Sequence, residues 1–405
     1  MPPSPPPPLA DHLESFWRRL APLLPAGAMW CVGCSGGLDS SVLWRLAVEL
    51  ADKMGGIRLA AAHLHHGLRG RAADLDMDLV QQACRDAGRP FIGFTADVAA
   101  RAAAWRAGLE EAGRRVRRAV WTCLAAAEAA AGRPPPLIWL GHHADDQAET
   151  VLFRLRRGAA RRGCAGLRPV QPFGPWPERW GDPRKCFSEV ETIDPDGWLA
   201  DVAWKNEDSR GMAFPAGQPL FRVLRPLLGH GKETLASFAR AGGVLWREDA
   251  TNDDTRFARN AIRHQRLPEL EKKFPNLRSR LLAVAAAAAA REERECARAH
   301  AWLRGAWLAP ARGNDGAIRF LPLAGRAAEE ADLPRLPDSP AFRRLALREA
   351  LERATGSLTR HRDVLERLDQ LALAGRNGQR LSLPGGWLAE RNAWGIVFYG
   401  PEMGR

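Results

Sequence analysis

Long apolar runs and a second C-x-x-C pair are both absent from this 405-residue chain. No eighteen consecutive residues are apolar, so the sequence offers no candidate membrane span and we expect no membrane partner. The seven cysteines are scattered, and the single C-x-x-C, Cys31 with Cys34, has no second pair to complete a zinc site. Because no charged-then-apolar signal segment opens the chain, we expect a cytoplasmic location.

A lysine is missing from the most informative turn. Residues 35–40 read Ser-Gly-Gly-Leu-Asp-Ser and separate an apolar run, Met29 to Val32, from a stretch with an apolar helical face. This strand, turn and helix predict a phosphate site, because glycines let the backbone approach an anion and the amides of a new helix point at it. Without the lysine of a GxxxxGK[ST] loop, an NTPase that acts on the terminal phosphate is disfavoured.

Basic residues outnumber acidic ones, 59 against 47, and give a formal charge of +12. This balance favours a polyanionic partner, although the arginine content also fits the composition of a GC-rich genome. Arginines cluster in two places that suit phosphate contacts, namely Arg154, Arg156, Arg157, Arg161 and Arg162, then Arg256, Arg259, Arg263 and Arg266. Each cluster alone is more often a solvated face.

Strand and helix patterns alternate along the first 140 residues, which predicts an α/β fold with a doubly wound parallel sheet. Residues 171–219 hold seven prolines and four tryptophans without periodicity, so we expect an insertion that is neither helix nor strand. The predicted division is a disordered tail at 1–12, an α/β domain at 13–225 containing that insertion, a helical domain at 226–305 and a small α+β domain at 306–405.

Polar clusters follow the predicted strands at the edge where such sheets bind ligands. After one strand, Asp145, Asp146 and Glu149 share the first turns of a helix, and Mg²⁺ beside a phosphate site is the ordinary partner for such acids. The alternative is a capped helix with a favourably charged first turn. His63 ends another strand and is expected to face nucleotide, with an ordinary loop histidine as the alternative.

These blocks together resemble the tRNA(Ile)-lysidine synthetase family of PP-loop ATP pyrophosphatases. The resemblance rests on residues 35–40, 63–68, 143–150, 248–252 and 259–263, in the family's order and spacing over about the first 270 residues. It implies an adenine-nucleotide α-hydrolase-like fold and a ligase that forms a C–N bond. In that family ATP adenylates the C2 carbonyl oxygen of the wobble cytidine in a CAU anticodon, and the ε-amine of lysine displaces AMP.

The resemblance also implies that 13–225 is the PP-loop ATP-binding catalytic domain and 226–305 the tRNA-binding domain, and it implies roles for individual residues. It assigns the chemistry to Asp39, His143, Asp145, Asp146, Glu149 and Arg114, ATP binding to Ser35, Gly36, Gly37, Leu38, Asp39, Ser40 and His63, Mg²⁺ to Asp39 and Asp146, and tRNA contacts to Arg117, Arg154, Arg157, Arg259, Asn260 and Arg263. The expected partners are ATP, Mg²⁺, L-lysine and tRNA(Ile) with a CAU anticodon, and a homodimer is left open.

Two departures from the family pattern accompany the resemblance. Position 118 is Arg where the family usually has Tyr, and the insertion at 171–219 is longer than the family's connection. A PP-loop tRNA thiolase is one alternative, but it commonly needs a downstream Cys-x-x-Cys that this chain lacks. A nucleotide- or RNA-binding protein without catalysis is another, and the intact Asp39, Asp145 and Asp146 argue against it.

Overall fold

The computed structural model describes residues 8–158, 161–174, 176–177, 180–195, 220–248, 258–306, 319–322, 339–355, 362–392 and 395–400. They form two compact units, one containing the described residues up to Ala287 and the other those from Ala288 onward. Among the described helices, none is long and apolar enough to cross a membrane.

A seven-stranded sheet forms the centre of the first unit. Its strands are β1 (Trp30–Gly33), β2 (Leu59–His65), β3 (Phe91–Thr95), β4 (Leu137–Leu140), β5 (Val170–Phe173), β6 (Glu189–Ile193) and β7 (Phe221–Leu224). The order is β5-β7-β4-β1-β2-β3-β6, with five parallel strands in the middle and antiparallel β5 and β6 at the edges. The predicted α/β fold with a doubly wound, mostly parallel sheet is confirmed.

Both faces of the sheet are covered, which explains why its central strands read as apolar runs. In β1, Trp30 and Val32 belong to one core cluster and Cys31 to the other. The helices of this unit are α1 (Leu9–Leu20), α2 (Leu38–Met54), α3 (Arg71–Asp86), α4 (Val98–Ala104), α5 (Leu109–Ala130), α6 (Ala144–Arg156), α7 (Lys232–Ala241), α8 (Ala258–Ala261), α9 (Leu267–Lys273) and the start of α10 (Leu277–Ala306), with a π-helical turn, Ile262–Arg266, between α8 and α9.

Two sequence expectations need correction. Helix α1 begins at Leu9, inside the predicted tail, because Leu9, Leu13, Phe16 and Trp17 form an apolar stripe that is buried in the core. Strands β5 and β6 lie at or within the predicted insertion. Their signal is not local periodicity but pairing with distant partners, since β5 pairs with β7 and β6 with β3. Residues 196–219 of the insertion lie outside the described part.

The second unit combines an antiparallel sheet with helices, as expected for the end of the chain. Its strands are β8 (Arg319–Pro322), β9 (Arg380–Ser382), β10 (Leu388–Arg391) and β11 (Gly395–Tyr399), in the order β8-β11-β10-β9. Helices α11 (Pro340–Thr355) and α12 (Arg362–Ala374) and the later part of α10 bury Leu351, Leu368 and Leu303 against it. The predicted boundaries at 225 and 305 stay predictions.

Candidate active site

The order of strands places two loops side by side. Strand β1 pairs with β2 on one side and with β4 on the other. The order in which the chain adds parallel strands to the sheet therefore reverses between β1 and β4. A Cβ atom on Gly141, which follows β4, would lie 2.8 Å from the carbonyl oxygen of Asp39 in the first turn of α2. Only glycine fits this close approach, and it brings the loop after β4 against the turn after β1.

The phosphate loop, residues 35–40, is held by its own serines. Ser40 Oγ accepts a hydrogen bond from the Ser35 amide at 3.1 Å and donates one to the Gly37 carbonyl at 3.0 Å. Gly36 has a φ of +83°, a conformation that favours glycine. Helix α2 starts at Leu38 after an N-cap, Gly37, that has no side chain to accept from the first amides. The predicted strand, turn and helix are therefore present, and the unpaired first amides of the helix suit an anion; anion binding itself stays a prediction.

His63 contacts the backbone just before this loop. Its ring is buried, and Nδ1 lies 2.9 Å from the carbonyl oxygen of Cys34. Burial lowers the pKa of His63 to about 4, although the contact with Cys34 opposes the shift. A neutral His63 thus fixes the loop backbone in this structure, and direct contact with nucleotide stays a prediction.

Asp76 and Arg247 form a second support that the sequence reading missed. The Arg247 amide donates to the Gly36 carbonyl at 2.9 Å, and Arg247 Nε donates to Asp76 Oδ1 at 2.8 Å. Arg69 Nη2 donates to the other oxygen of the buried Asp76 at 2.9 Å. A Cβ atom on Gly36 would lie 3.2 Å from the Asp76 carbonyl oxygen. No local pattern signals this set, because Arg247 is 171 residues from Asp76.

His143 joins the phosphate loop to the acids of α6. Its Nδ1 accepts from the Asp145 amide at 3.2 Å, while its own amide donates to Asp146 Oδ2 at 3.0 Å, which completes a capping box. With Nδ1 accepting, Nε2 faces the carboxylates of Asp39 and Asp146, each 3.5 Å away. Burial lowers the pKa of His143, but these two carboxylates outweigh burial and raise it above its ordinary value.

The acid cluster, comprising Asp145, Asp146 and Glu149, is neutralised by arginines from later in the chain. Arg263 Nε lies 2.5 Å from Glu149 Oε1, and Arg263 Nη2 lies 3.0 Å from Asp146 Oδ1. Asp145 Oδ1 contacts Arg278 Nη1, and Asp145 Oδ2 accepts from the Lys232 amide at 3.0 Å. Buried carboxylates require such partners, so each acid has a nitrogen donor.

The charges around Asp146 shift its pKa and that of Arg263 in opposite directions. Burial raises the pKa of Asp146. The positive charges of His143, His142 and Arg263 lower it by more than burial raises it, so the net shift is downward. Burial lowers the pKa of Arg263, but Glu149 and Asp146 raise it above its usual value. Both groups are therefore charged at neutral pH, and the carboxylates pair with a positive group of the protein itself.

Asp39 is the best candidate ligand for a divalent cation. Its Oδ1 is buried without a hydrogen-bond partner in the described part of the chain, whereas both oxygens of Asp146 already accept hydrogen bonds. Within the described ranges, no three His, Cys, Asp or Glu side chains are arranged to hold a metal by themselves. A free carboxylate oxygen beside a phosphate site fits Mg²⁺, which uses one or two carboxylates together with phosphate oxygens.

The remaining predicted residues fall on several surfaces. Arg114 lies on α5 with 71% of its side chain exposed, and Arg117 is close enough to His66 to help burial lower the pKa of that ring to about 3. Arg154 donates to the carbonyls of Gly163 and Gly166, and Arg157 lies over the Phe153 ring. The side chain of Arg259 lies outside the described part, and Asn260 is half-buried.

Arg263 lies at the acid cluster in this structure. It was predicted to contact tRNA, and its guanidinium group pairs with Glu149 and Asp146 of the same chain. The contacts of Arg263 and of the other arginines with tRNA stay predictions.

Comparisons with known proteins agree with this geometry. A family described as a PP-loop domain matches residues 12–179 and 207–270. The tRNA(Ile)-lysidine synthase of Geobacter sulfurreducens is 31% identical over 368 residues, covering 91% of this chain and 64% of that protein. The enzyme of the same name from Pseudomonas syringae pv. tomato is 33% identical over 382 residues, covering 91% of this chain and 71% of that protein. The chain thus spans about two thirds of the length of these relatives.

Among solved structures, the U34-tRNA thiolase NcsA from Methanococcus maripaludis with its [4Fe-4S] cluster aligns with a TM-score of 0.44 at 13% identity. The alignment covers 68% of this chain and 79% of that one. A similarity at this level carries no argument about function.

Proposed function

Because the chain belongs to the tRNA(Ile)-lysidine synthase family and carries its PP-loop domain, we propose that it ligates lysine to C2 of the wobble cytidine of tRNA(Ile) with a CAU anticodon. The observation that carries this proposal is the junction of phosphate loop and acid cluster through His143, 3.5 Å from Asp39. An anion site and a cation site that adjoin in this way suit a reaction between ATP and an amine.

The phosphate loop serves ATP in this proposal. Backbone amides at the start of α2 and the hydroxyls of Ser35 and Ser40 bind the β,γ-pyrophosphate, so the α-phosphorus is left for attack by the cytidine oxygen. Pyrophosphate leaves in that step, and AMP leaves when lysine attacks. Mg²⁺ would neutralise phosphate charge, and the free oxygen of Asp39 is the group best placed to hold it.

The acid cluster serves lysine. Asp146 and Glu149 pair with the guanidinium group of Arg263, so the lysine ammonium group would bind these carboxylates by displacing that guanidinium group. The ε-ammonium must lose a proton before its nitrogen can attack, and a carboxylate that holds the cation can accept that proton. A ligase acting on tRNA also accounts for the excess of basic residues.

The alternative of a thiolase is weakened by the state of the cysteines. Burial raises the pKa of Cys31 and Cys34 well above the ordinary thiol value, and it raises that of Cys84 to about 12. The thiolate is the reactive form, so these three cysteines are poor nucleophiles.

Radiolabelled lysine tests the proposal. The purified protein is incubated with ATP, Mg²⁺, labelled lysine and tRNA(Ile) with a CAU anticodon, and label in acid-precipitable RNA is counted. We expect incorporation that disappears when the wobble C is replaced by U. An active preparation, judged by tRNA-stimulated AMP release, that incorporates no label would refute lysine as the nucleophile.

A further inference from the structure

The segment 180–195, here called the strap, lies where the PP-loop family match is interrupted, since residues 180–206 are not matched. The strap covers the outer face of α5. Its Cys186 is buried in the same cluster as Ala112, Val116 and Ala119 of that helix, and its strand β6 then joins the sheet beside β3. This chain therefore adds a covering layer to a helix of the family's domain.

Trp180 attaches the strap to two arginines of α5. Its ring lies 4.9 Å from the guanidinium carbon of Arg115 and 5.4 Å from that of Arg118. The ring of Trp105 also contacts Arg115, at 5.6 Å. Such cation–π contacts fix a guanidinium group that would otherwise sample many rotamers. The family resemblance predicts Tyr at position 118, so here an aromatic ring reaches this surface from the strap instead.

Arg115 continues the contact toward Arg114. Arg115 Nε donates to Glu111 Oε1 at 2.9 Å, and Arg114 Nε donates to Glu111 Oε2 at 2.9 Å. Glu111 therefore holds two arginines through its two oxygens. The contacts form a continuous relay from Trp180 through Arg115 and Glu111 to Arg114.

Helix α5 contacts two segments that lie next to the candidate active site. A Cβ atom on Gly113 would lie 3.9 Å from the His66 ring, and one on Gly33, the last residue of β1, would lie 3.1 Å from the Trp121 ring. The part of α5 that carries Arg114 therefore adjoins the loop after β2, and a later turn adjoins the strand that leads into the phosphate loop.

We propose that Trp180 is a positioning residue that acts through Arg115 and Glu111 to orient Arg114 toward the tRNA base; this inference rests on the proposed function. Arg114 is the most exposed arginine of the relay. An exposed arginine needs a fixed partner if its guanidinium group is to point in one direction. Glu111 supplies that partner, and its other oxygen is held by Arg115.

A double-mutant cycle tests the relay. Trp180→Leu and Trp180→Phe are compared in the wild-type and Arg114→Ala backgrounds by the single-turnover rate of lysine incorporation into tRNA. We expect Trp180→Leu to slow the rate about tenfold with the KM for ATP unchanged, and Trp180→Phe, which keeps an aromatic ring, to stay within about twofold. In the Arg114→Ala background, Trp180→Leu should cost less than about twofold.

Two outcomes of this cycle, and one of a chemical modification experiment, overturn the inference. An equal loss of the incorporation rate from Trp180→Leu in both backgrounds would mean that the tryptophan acts on folding or on another group. No loss of rate in the wild-type background would mean that Trp180 does not influence Arg114. Phenylglyoxal modification of Arg114, mapped by peptide mass spectrometry, gives a readout independent of activity. The rate of Arg114 modification should rise at least about threefold in Trp180→Leu if the relay holds Arg114. An unchanged modification rate overturns the relay. This result is independent of the proposed function, because it can be measured even if the wild type forms no lysidine.

Discussion

The phosphate loop and the acid cluster lie at the same edge of the sheet but are held by different means. Within the phosphate loop, neutral hydrogen bonds join residues at most five apart, such as those of Ser40 with Ser35 and Gly37, and the distant contacts to the loop backbone, from His63 and the Arg247 amide, are also made by neutral groups. The acid cluster is fixed by charged partners more than a hundred residues away, Arg263 and Arg278. A site for an anion needs donors without counter-charge, whereas a site for a cation must keep its acids neutralised until the substrate arrives.

Arg263→Gln gives the largest expected effect on this comparison. It leaves the buried Glu149 and Asp146 without their cation, so the free energy of unfolding should fall by about 2 kcal/mol, a value reduced because the arginine side chain is 30% exposed. Urea unfolding measures the change. Arg266→Gln is the matched control, since that side chain is 63% exposed and pairs with an exposed Glu269, and it should cost less than about 0.5 kcal/mol. Equal costs would show that the cluster needs no cation.

The same contrast decides what the sequence could predict. The phosphate loop, β3 and β4 have their determinants within a few residues, namely glycines, serines and apolar runs, and their positions are confirmed. Asp76, Arg247 and Arg278 could not be found, because which arginine reaches which acid depends on the packing of distant elements. Strands β5 and β6 were missed for the same reason: an edge strand of mixed composition is specified by its neighbour.

The support of the phosphate loop by His63 can be tested separately through the pH dependence of the free energy of unfolding. Burial holds the pKa of His63 at about 4, below the ordinary value near 6.5, so the unfolded chain takes up a proton first as the pH falls. The stability from neutral His63 is therefore complete above pH 6.5 and is lost progressively down to about pH 4. His63→Gln should reduce the loss of unfolding free energy between pH 6.5 and 5.5 by about 1 kcal/mol in urea titrations. An unchanged pH dependence would show that His63 titrates normally.

Ser40→Ala should have the smallest effect and act on ATP alone. It removes the hydroxyl that accepts from the Ser35 amide and donates to the Gly37 carbonyl, so the loop should lose part of its preorganised shape. We expect the KM for ATP to rise about fivefold with the KM for lysine unchanged. Ser41→Ala removes a neighbouring hydroxyl and should leave both constants within about twofold. A rise in the KM for lysine instead would contradict the division between the two regions.

The division of work between the two regions is tested most directly by separating the two half-reactions in Glu149→Gln. ATP-dependent transfer of AMP to tRNA(Ile) with a CAU anticodon is measured without lysine, and lysine incorporation is then measured on the same preparation. We predict that AMP transfer stays within about threefold of the wild-type rate while lysine incorporation falls at least about 100-fold, because only the second step uses the acid cluster. A parallel loss of both steps would contradict the account.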